Sequence, residues 1–315
     1  MQSKAATEGA MQTPASASRQ GLVAVQVAVL FFGLSGVLGR MSALPAPLIT
    51  FGRVVVAGVA LIAALALRRL SLRPRSRRDL GVLVLQGVLL AGHWTAFFAA
   101  INASSVAVGV LAFSTFPLFT AAIEALVLNQ RLSRVQLAAA LLTLPGIYLL
   151  VPALSLRNPT TLGVALGLLA GASFAVLSVI NRWLGRAYPS LVISAYQDVT
   201  AALVLAPALF FYSLAPLTSP RVLLILAVLG LFCTALAHTL FVQGLRFVSA
   251  QLASLIANLE PVWAILFAFL LLGEVPSPHI LLGGAIILGA LLLPLTPAVW
   301  SRVLHPSEAS QHARR

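Results

Sequence analysis

Gln251, Ser254, Asn258 and Pro261 recur at helical spacing through an otherwise apolar stretch, a stripe that offers amide and hydroxyl groups to a polar ligand. A second face joins Gln86, His93, Phe97 and Ala100, with Trp94 beside it. Phe174, Ser178 and Asn181 extend a third, and Phe113, Pro117 and Thr120 a fourth. Asn, Ser, Gln and His suit the charged ends of a zwitterion, while Trp94, Phe97, Phe113 and Phe174 suit an apolar side chain. This is recognition chemistry. No His, Asp or Glu grouping has metal-ligand spacing, and neither a Gly-x-Ser-x-Gly element nor a long catalytic loop is present, so a membrane-embedded enzyme is the remote alternative. No metal site and no cofactor are implied.

Titratable groups inside apolar runs need a reason, because an Asp or Arg at the centre of a membrane helix costs about 2.5 to 3.5 kcal/mol. His93 falls near the midplane of its run, where it either meets a ligand or donates to a neighbouring helix. Glu260 is the deepest acid. A carboxyl in low dielectric can take up and release a proton, so Glu260 is a candidate for coupling, with His238 its nearest titratable neighbour by depth. A structural hydrogen bond is the other role open to it. Arg53 stands inside the second run, and Asp198 holds a similar place in the second half without being expected to pair with it.

The elements that position these groups are ten membrane spans. The chain has 315 residues, of which 60% are hydrophobic and 9% charged, and its mean hydropathy is +1.02. Such a composition requires most of the surface to face lipid or other apolar helices. Runs of about twenty apolar residues fall at Leu22 to Gly39, Pro45 to Leu67, Leu80 to Ile101, Ser105 to Leu128 and Val135 to Val151. They continue at Leu162 to Trp183, Leu191 to Tyr212, Val222 to Leu245, Ser249 to Leu272 and Ile280 to Trp300. The net charge of +13 does not point to nucleic acid, because most arginines lie in the gaps between runs, where they set orientation. With a cytoplasmic N-terminus the outside receives only Arg40, Arg157 and Arg221, while one inside loop alone carries Arg68, Arg69, Arg73, Arg75, Arg77 and Arg78. Both termini are therefore expected in the cytoplasm and the chain in the cell (inner) membrane. Residues 1–20 and 301–315 read as cytoplasmic tails, the first disordered and without the apolar core of a signal peptide. The single Cys233 excludes an intrachain disulfide.

The chain also repeats itself. PLFTAAIEALVLNQRLS from Pro117 aligns without a gap on PVWAILFAFLLLGEVPS from Pro261, an offset of 144 residues. FFAAINASSVAVGV from Phe97 aligns on FVQGLRFVSAQLAS from Phe241 at the same offset. Two five-span halves follow, residues 21–153 and 154–300, and an odd number of spans makes the second enter the membrane inverted. Each proline removes a backbone donor within its expected helix and frees the carbonyl of Phe113 or Ala257, which makes Pro117 and Pro261 candidate flex points. Gly33, Gly36 and Gly39, with Gly163, Gly167 and Gly171, stud the first span of each half, for close packing or for gating.

PVWAILFAFLLLGE followed by LLGGAIILGALLL resembles the end of an EamA repeat of the drug/metabolite transporter superfamily. The first half is similar, with Gln130 where the family usually has Glu. The resemblance runs from about Gly21 to Trp300. It implies an all-α polytopic fold and a central cavity lined by the first, third and fourth helices of each half, with the fifth helices outside. It also implies alternating-access export of small amphipathic metabolites. The substrate-site candidates are His93, Trp94, Phe97, Phe113, Phe174, Ser178, Ser254 and Asn258, and their character is most similar to the YddG-type exporters of aromatic amino acids. Export of cationic drugs or other metabolites is the alternative. The partners implied are a small-molecule substrate and the lipid bilayer, and nothing requires an oligomer.

Overall fold

Ten helical units follow one another in the computed structural model, which describes residues 14–127 and 131–293 apart from the side chains of residues 14–18, 250, 251 and 254. In chain order they are α1 (Pro14–Ser42), α2 (Ala46–Leu67), α3 (Arg77–Ala103), α4 (Val106–Val127) and α5 (Arg134–Leu150). The second set is α6 (Pro159–Leu184), α7 (Ser190–Phe210), α8 (Pro220–Gly244), α9 (Ala250–Ala257 continued by Glu260–Leu272) and α10 (Pro278–Leu292). Eight of them are long and apolar enough to cross a membrane, and α5 and α10 are shorter apolar helices. Residues 1–13 and 294–315 lie outside the described residues, as does Gln130, and α1 already begins at Pro14, inside the segment expected as a tail. Large apolar side chains such as Leu126, Leu203 and Leu270 point outward, as lipid-facing residues do.

Polar punctuation starts the helices. Ser76, Ser105, Ser133 and Asn158 each accept a backbone N–H of the first turn of α3, α4, α5 and α6 in turn. At the far end of α9, Gly273 adopts φ 66°, a left-handed turn that suits glycine, and the chain reverses there. The next residue, Glu274, is thereby carried onto α4, where its carboxylate accepts the N–H groups of Val106 and Ala107 at 3.4 and 3.3 Å. Close by, Arg40 donates to the carbonyls of Ile101 and Asn102, both at 3.1 Å, and closes the end of α3. At the opposite end of the bundle the Tyr188 hydroxyl donates to Asp79 at 2.5 Å and accepts from the Arg75 N–H at 2.8 Å. Arg182 there donates to the carbonyl of Val248.

The packing pattern survives an exchange of the two halves. α3 lies along α6 as α8 lies along α1, α3 crosses α7 as α8 crosses α2, and α4 rests on α6 as α9 rests on α1. α2 pairs with α7 and α5 with α10. This is the two-fold relation of an inverted repeat.

α4 and α9 depart from expectation. Neither is one helix bent at its proline: α4 breaks at Ser114–Thr115 and α9 at Asn258–Leu259, and Pro117 and Pro261 sit in the first turn of the segment that follows. A proline placed there costs little, since the first N–H groups of a helix have no partner within it. Ser114 and Thr115 donate their hydroxyls to Leu111 and Ala112 and satisfy carbonyls at the end of the first segment. Each break is covered by a glycine from the other half. A Cβ at Gly171 of α6 would lie 3.0 Å from the Phe113 carbonyl oxygen, and one at Gly33 of α1 would lie 3.1 Å from that of Glu260.

Candidate functional site

α3 brings His93, Trp94 and Phe97 to the centre of the bundle on one face, where they line a cavity. Phe32 and Ser35 of α1, Arg53 of α2, Phe113 of α4, Phe174 of α6, His238 of α8 and Glu260 of α9 complete the lining. None of these residues is more than 9% exposed, so the cavity is buried within the bundle. Its volume is about 20 Å³, room for roughly one water molecule. A larger molecule fits only if the lining moves apart.

His93 stands in an aromatic frame, with ring centroids 5.0 Å from Phe174 and 5.6 Å from Phe113. Its Nδ1 lies 2.9 Å from the Ala170 carbonyl of α6, so Nδ1 carries the proton and donates, and Nε2 is left as an acceptor. Both roles foreseen for His93, ligand contact and helix-to-helix donor, are thus compatible at one ring. Phe113 stacks on Phe116 at 5.0 Å and meets Phe174 edge-on at 5.5 Å.

Arg53 supplies the positive charge. Its guanidinium carbon lies 4.0 Å from the centre of the Trp94 ring, within the range of a cation–π contact. Nε donates to the Thr234 hydroxyl at 2.8 Å, Nη1 to the Ser35 hydroxyl at 2.9 Å and Nη2 to the Cys233 carbonyl at 2.9 Å. The α8 backbone opens into a wider turn over Leu231–Leu236 at this point. The sequence shows Arg53 within its span but gives it no place at the site, because two of its three partners, Thr234 and Cys233, stand about 180 residues away in a distortion that no local pattern signals.

Glu260 is the first residue of the second segment of α9 and lines the same cavity, rather than standing in mid-helix. The unpaired N–H groups of that helix start favour a negative charge there. Its carboxylate accepts no hydrogen bond among the described residues. His238 presents its ring edge-on to Trp94 at 5.5 Å, and neither of its ring nitrogens has a partner among the described residues. Trp94 and His238 are equivalent positions of the repeat (94 + 144 = 238), so the two-fold relation sets one against the other across the cavity.

Two site candidates lie elsewhere. Asn258 caps the first segment of α9, buried and with both amide atoms unpartnered among the described residues, and it does not line the cavity. The helix break is the reason: a stripe drawn on one continuous helix carries Asn258 inward, and the turn at Asn258–Leu259 brings Glu260 in instead. Ser178, one turn beyond Phe174, is buried with its hydroxyl unpartnered, also outside the lining. The side chain of Ser254 lies outside the described residues. Below the cavity, Gln86 and Gln197 both donate to the Asn181 side-chain oxygen, at 2.9 and 2.8 Å, and the two Asp198 oxygens have no partner among the described residues. Arg53 and Asp198 share no hydrogen bond, as expected. No three His, Cys, Asp or Glu side chains among the described residues come together as metal ligands would.

The sequence model of the EamA-like transporter family matches residues 19–151 and again residues 161–296, once in each half. The uncharacterized transporter YwfM of Bacillus subtilis (strain 168) is 30% identical over 277 residues, which cover 87% of this chain and 93% of the relative. An uncharacterized transporter of Archaeoglobus fulgidus is 28% identical over 232 residues, 73% of this chain and 81% of the relative. A crystal structure of 21% identity superposes with a TM-score of 0.67 over 94% of this chain and 100% of the other, a likeness of fold. With both halves matched, the chain belongs to the EamA-like transporter family and is a multi-pass membrane transporter.

Proposed function

We propose that the chain exports small amphipathic metabolites from the cytoplasm by alternating access, with apolar and aromatic amino acids as its substrates. The observation that carries this assignment is the buried cavity, which combines one cation, Arg53, and one carboxyl, Glu260, with Phe32, Trp94, Phe97, Phe113 and Phe174. A free amino acid needs polar partners for its two charged ends beside an apolar compartment, and this lining offers a cation and a carboxyl group next to aromatic rings. His93 and His238 add neutral polar contacts. The buried lining and the small volume support a state between the two open ones, and the two broken helices are the elements that rearrange, with Pro117 and Pro261 holding the segments that move. The distribution of arginines supports the cell (inner) membrane with both termini cytoplasmic.

Counterflow of labelled phenylalanine in proteoliposomes tests the substrate class: wild type accumulates label against internal unlabelled phenylalanine, and a folded protein that does not would end the assignment. Glu260→Gln in the same vesicles tests coupling. Exchange kept with loss of accumulation driven by a pH gradient identifies Glu260 as the proton-carrying group, and the same result in His238→Gln would add His238 to it. A wild type indifferent to the gradient makes the carrier facilitative. Cationic drugs are a second class favoured by one observation, the Glu260 carboxyl group at the cavity without a hydrogen-bond donor among the described residues. Competition by a quaternary ammonium compound, absent in Glu260→Gln, would support it.

A further inference from the structure

Arg53 is 1% exposed inside α2, one of the largest fully buried side chains among the described residues. Removing a guanidinium from water costs several kcal/mol unless strong acceptors compensate, and an intramembrane charge needs a partner or an aqueous cavity. All three of its acceptors, the Thr234 and Ser35 hydroxyls and the Cys233 carbonyl, are neutral. Guanidinium has five N–H groups. Two therefore remain without an acceptor among the described residues, one on each terminal nitrogen, the number that a bidentate carboxylate engages. Asp198 and Glu260 do not take them: among the described residues Asp198 has no hydrogen-bond partner, and Glu260 lines the cavity without bonding to Arg53.

The seat is built for this side chain. The wider turn at Leu231–Leu236 presents the Cys233 carbonyl to Nη2, and the Thr234 hydroxyl donates to Leu229 at 2.7 Å while accepting from Nε. Such turns are rare and concentrate at functional sites. Trp94 covers one face of the guanidinium and Phe98 lies 5.3 Å from it. Arg53 is thus fixed in orientation, desolvated, short of a counter-ion and at the cavity wall.

We propose that Arg53 is the anchor for the substrate's carboxylate, held by Ser35, Thr234 and the open turn of α8 and backed by Trp94. This rests on the amino-acid assignment above and names the residue that selects for it. The transported class then comprises molecules with a free carboxylate, and amines without one are excluded.

The test compares competitors of labelled phenylalanine counterflow in proteoliposomes of the full chain: 3-phenylpropionate, which keeps the carboxylate, and phenylethylamine, which lacks it. Wild type should prefer the carboxylate. In Arg53→Gln that preference should fall by at least about 30-fold, the consequence of truncating one partner of a buried charge pair, with Arg53→Lys intermediate. A folded Arg53→Gln that keeps the wild-type preference would overturn the anchor, as would one that weakens both competitors equally. Should Arg53→Gln fail to fold, Thr234→Val and Ser35→Ala unseat the guanidinium and keep its charge. They should weaken 3-phenylpropionate and spare phenylethylamine, and equal weakening of both refutes the anchor. If wild type exchanges no phenylalanine, the amino-acid assignment fails by itself. The anchor is then judged by fluorescence of Trp94, with the other tryptophans replaced, on titration with the same two compounds. A preference for the carboxylate that needs the seated Arg53 supports it, and equal binding of both by wild type refutes it.

Discussion

Replacing Glu274 by Ala should loosen the end of the bundle at which α9 meets α4, by an amount that the geometry bounds. The carboxylate accepts the N–H groups of Val106 and Ala107 at 3.4 and 3.3 Å, while Ser105 separately accepts that of Val108 at 3.2 Å. These are the first three N–H groups of α4, none with a partner inside the helix. Both Glu274 bonds are long and the side chain is half-buried, so together with the helix-end charge they contribute about 1 kcal/mol, at the lower end for a charged cap. That is roughly a fivefold change in the folded-to-unfolded ratio. Reversible unfolding in mixed SDS and mild-detergent micelles, followed by tryptophan fluorescence, resolves such a change. Glu274→Ala should lose about 1 kcal/mol and Glu274→Gln about half, since the neutral amide keeps one acceptor and no charge. Ser105→Ala should cost a similar amount, and the double variant should come close to the sum, because the two side chains serve different N–H groups. A Glu274→Ala protein within about 0.2 kcal/mol of wild type, below the range expected of a helix cap, would refute the assignment of Glu274 as the cap of α4. So would a Ser105→Ala background in which Glu274→Ala has no effect.

Gly273→Ala should cost about 1 kcal/mol in the same unfolding assay through left-handed backbone strain alone, because a Cβ there meets nothing within 4 Å. Gly167→Ala should destabilise by about 1 to 2 kcal/mol despite the better helix propensity of alanine, since its Cβ would lie 2.6 Å from that of Ala112. Gly92→Ala, with open space at its Cβ, is the control and should be neutral or slightly stabilising. Pro261→Ala should slow exchange by letting α9 run on through its break, and a variant that transports like wild type would remove Pro261 as a flex point.

Span number, duplication and the aromatic half of the cavity were legible because each leaves a periodic trace. His93 and Phe97 repeat at helical spacing on α3, and Phe113 and Phe174 stand at matching depths in helices that the repeat brings together. The breaks in α4 and α9 were not legible, since proline is compatible both with a kink and with the first turn of a new helix. That ambiguity decided the second-half residues: a continuous α9 favours Asn258, and the broken one brings in Glu260. Arg53 was conspicuous by its charge alone. Its importance depends on Thr234 and Cys233, whose placement follows from an open turn in α8 rather than from any propensity of Leu231–Leu236.

The scaffold is two-fold and its charge is not. The residue equivalent to Arg53 is Gln197 (53 + 144 = 197), which reaches from α7 to Asn181 of α6 much as Arg53 reaches from α2 to Ser35 of α1. One arm of the pair is a cation and the other a neutral amide. In the proposed alternating-access cycle, the two open states are then related by the two-fold rotation in shape and unlike in electrostatic potential. Loading from one face and loading from the other become steps with different half-saturation concentrations, and the empty carrier has a preferred resting side. Directionality of this kind is kinetic: it sets which way flux saturates first and leaves the final gradient to whatever coupling supplies it.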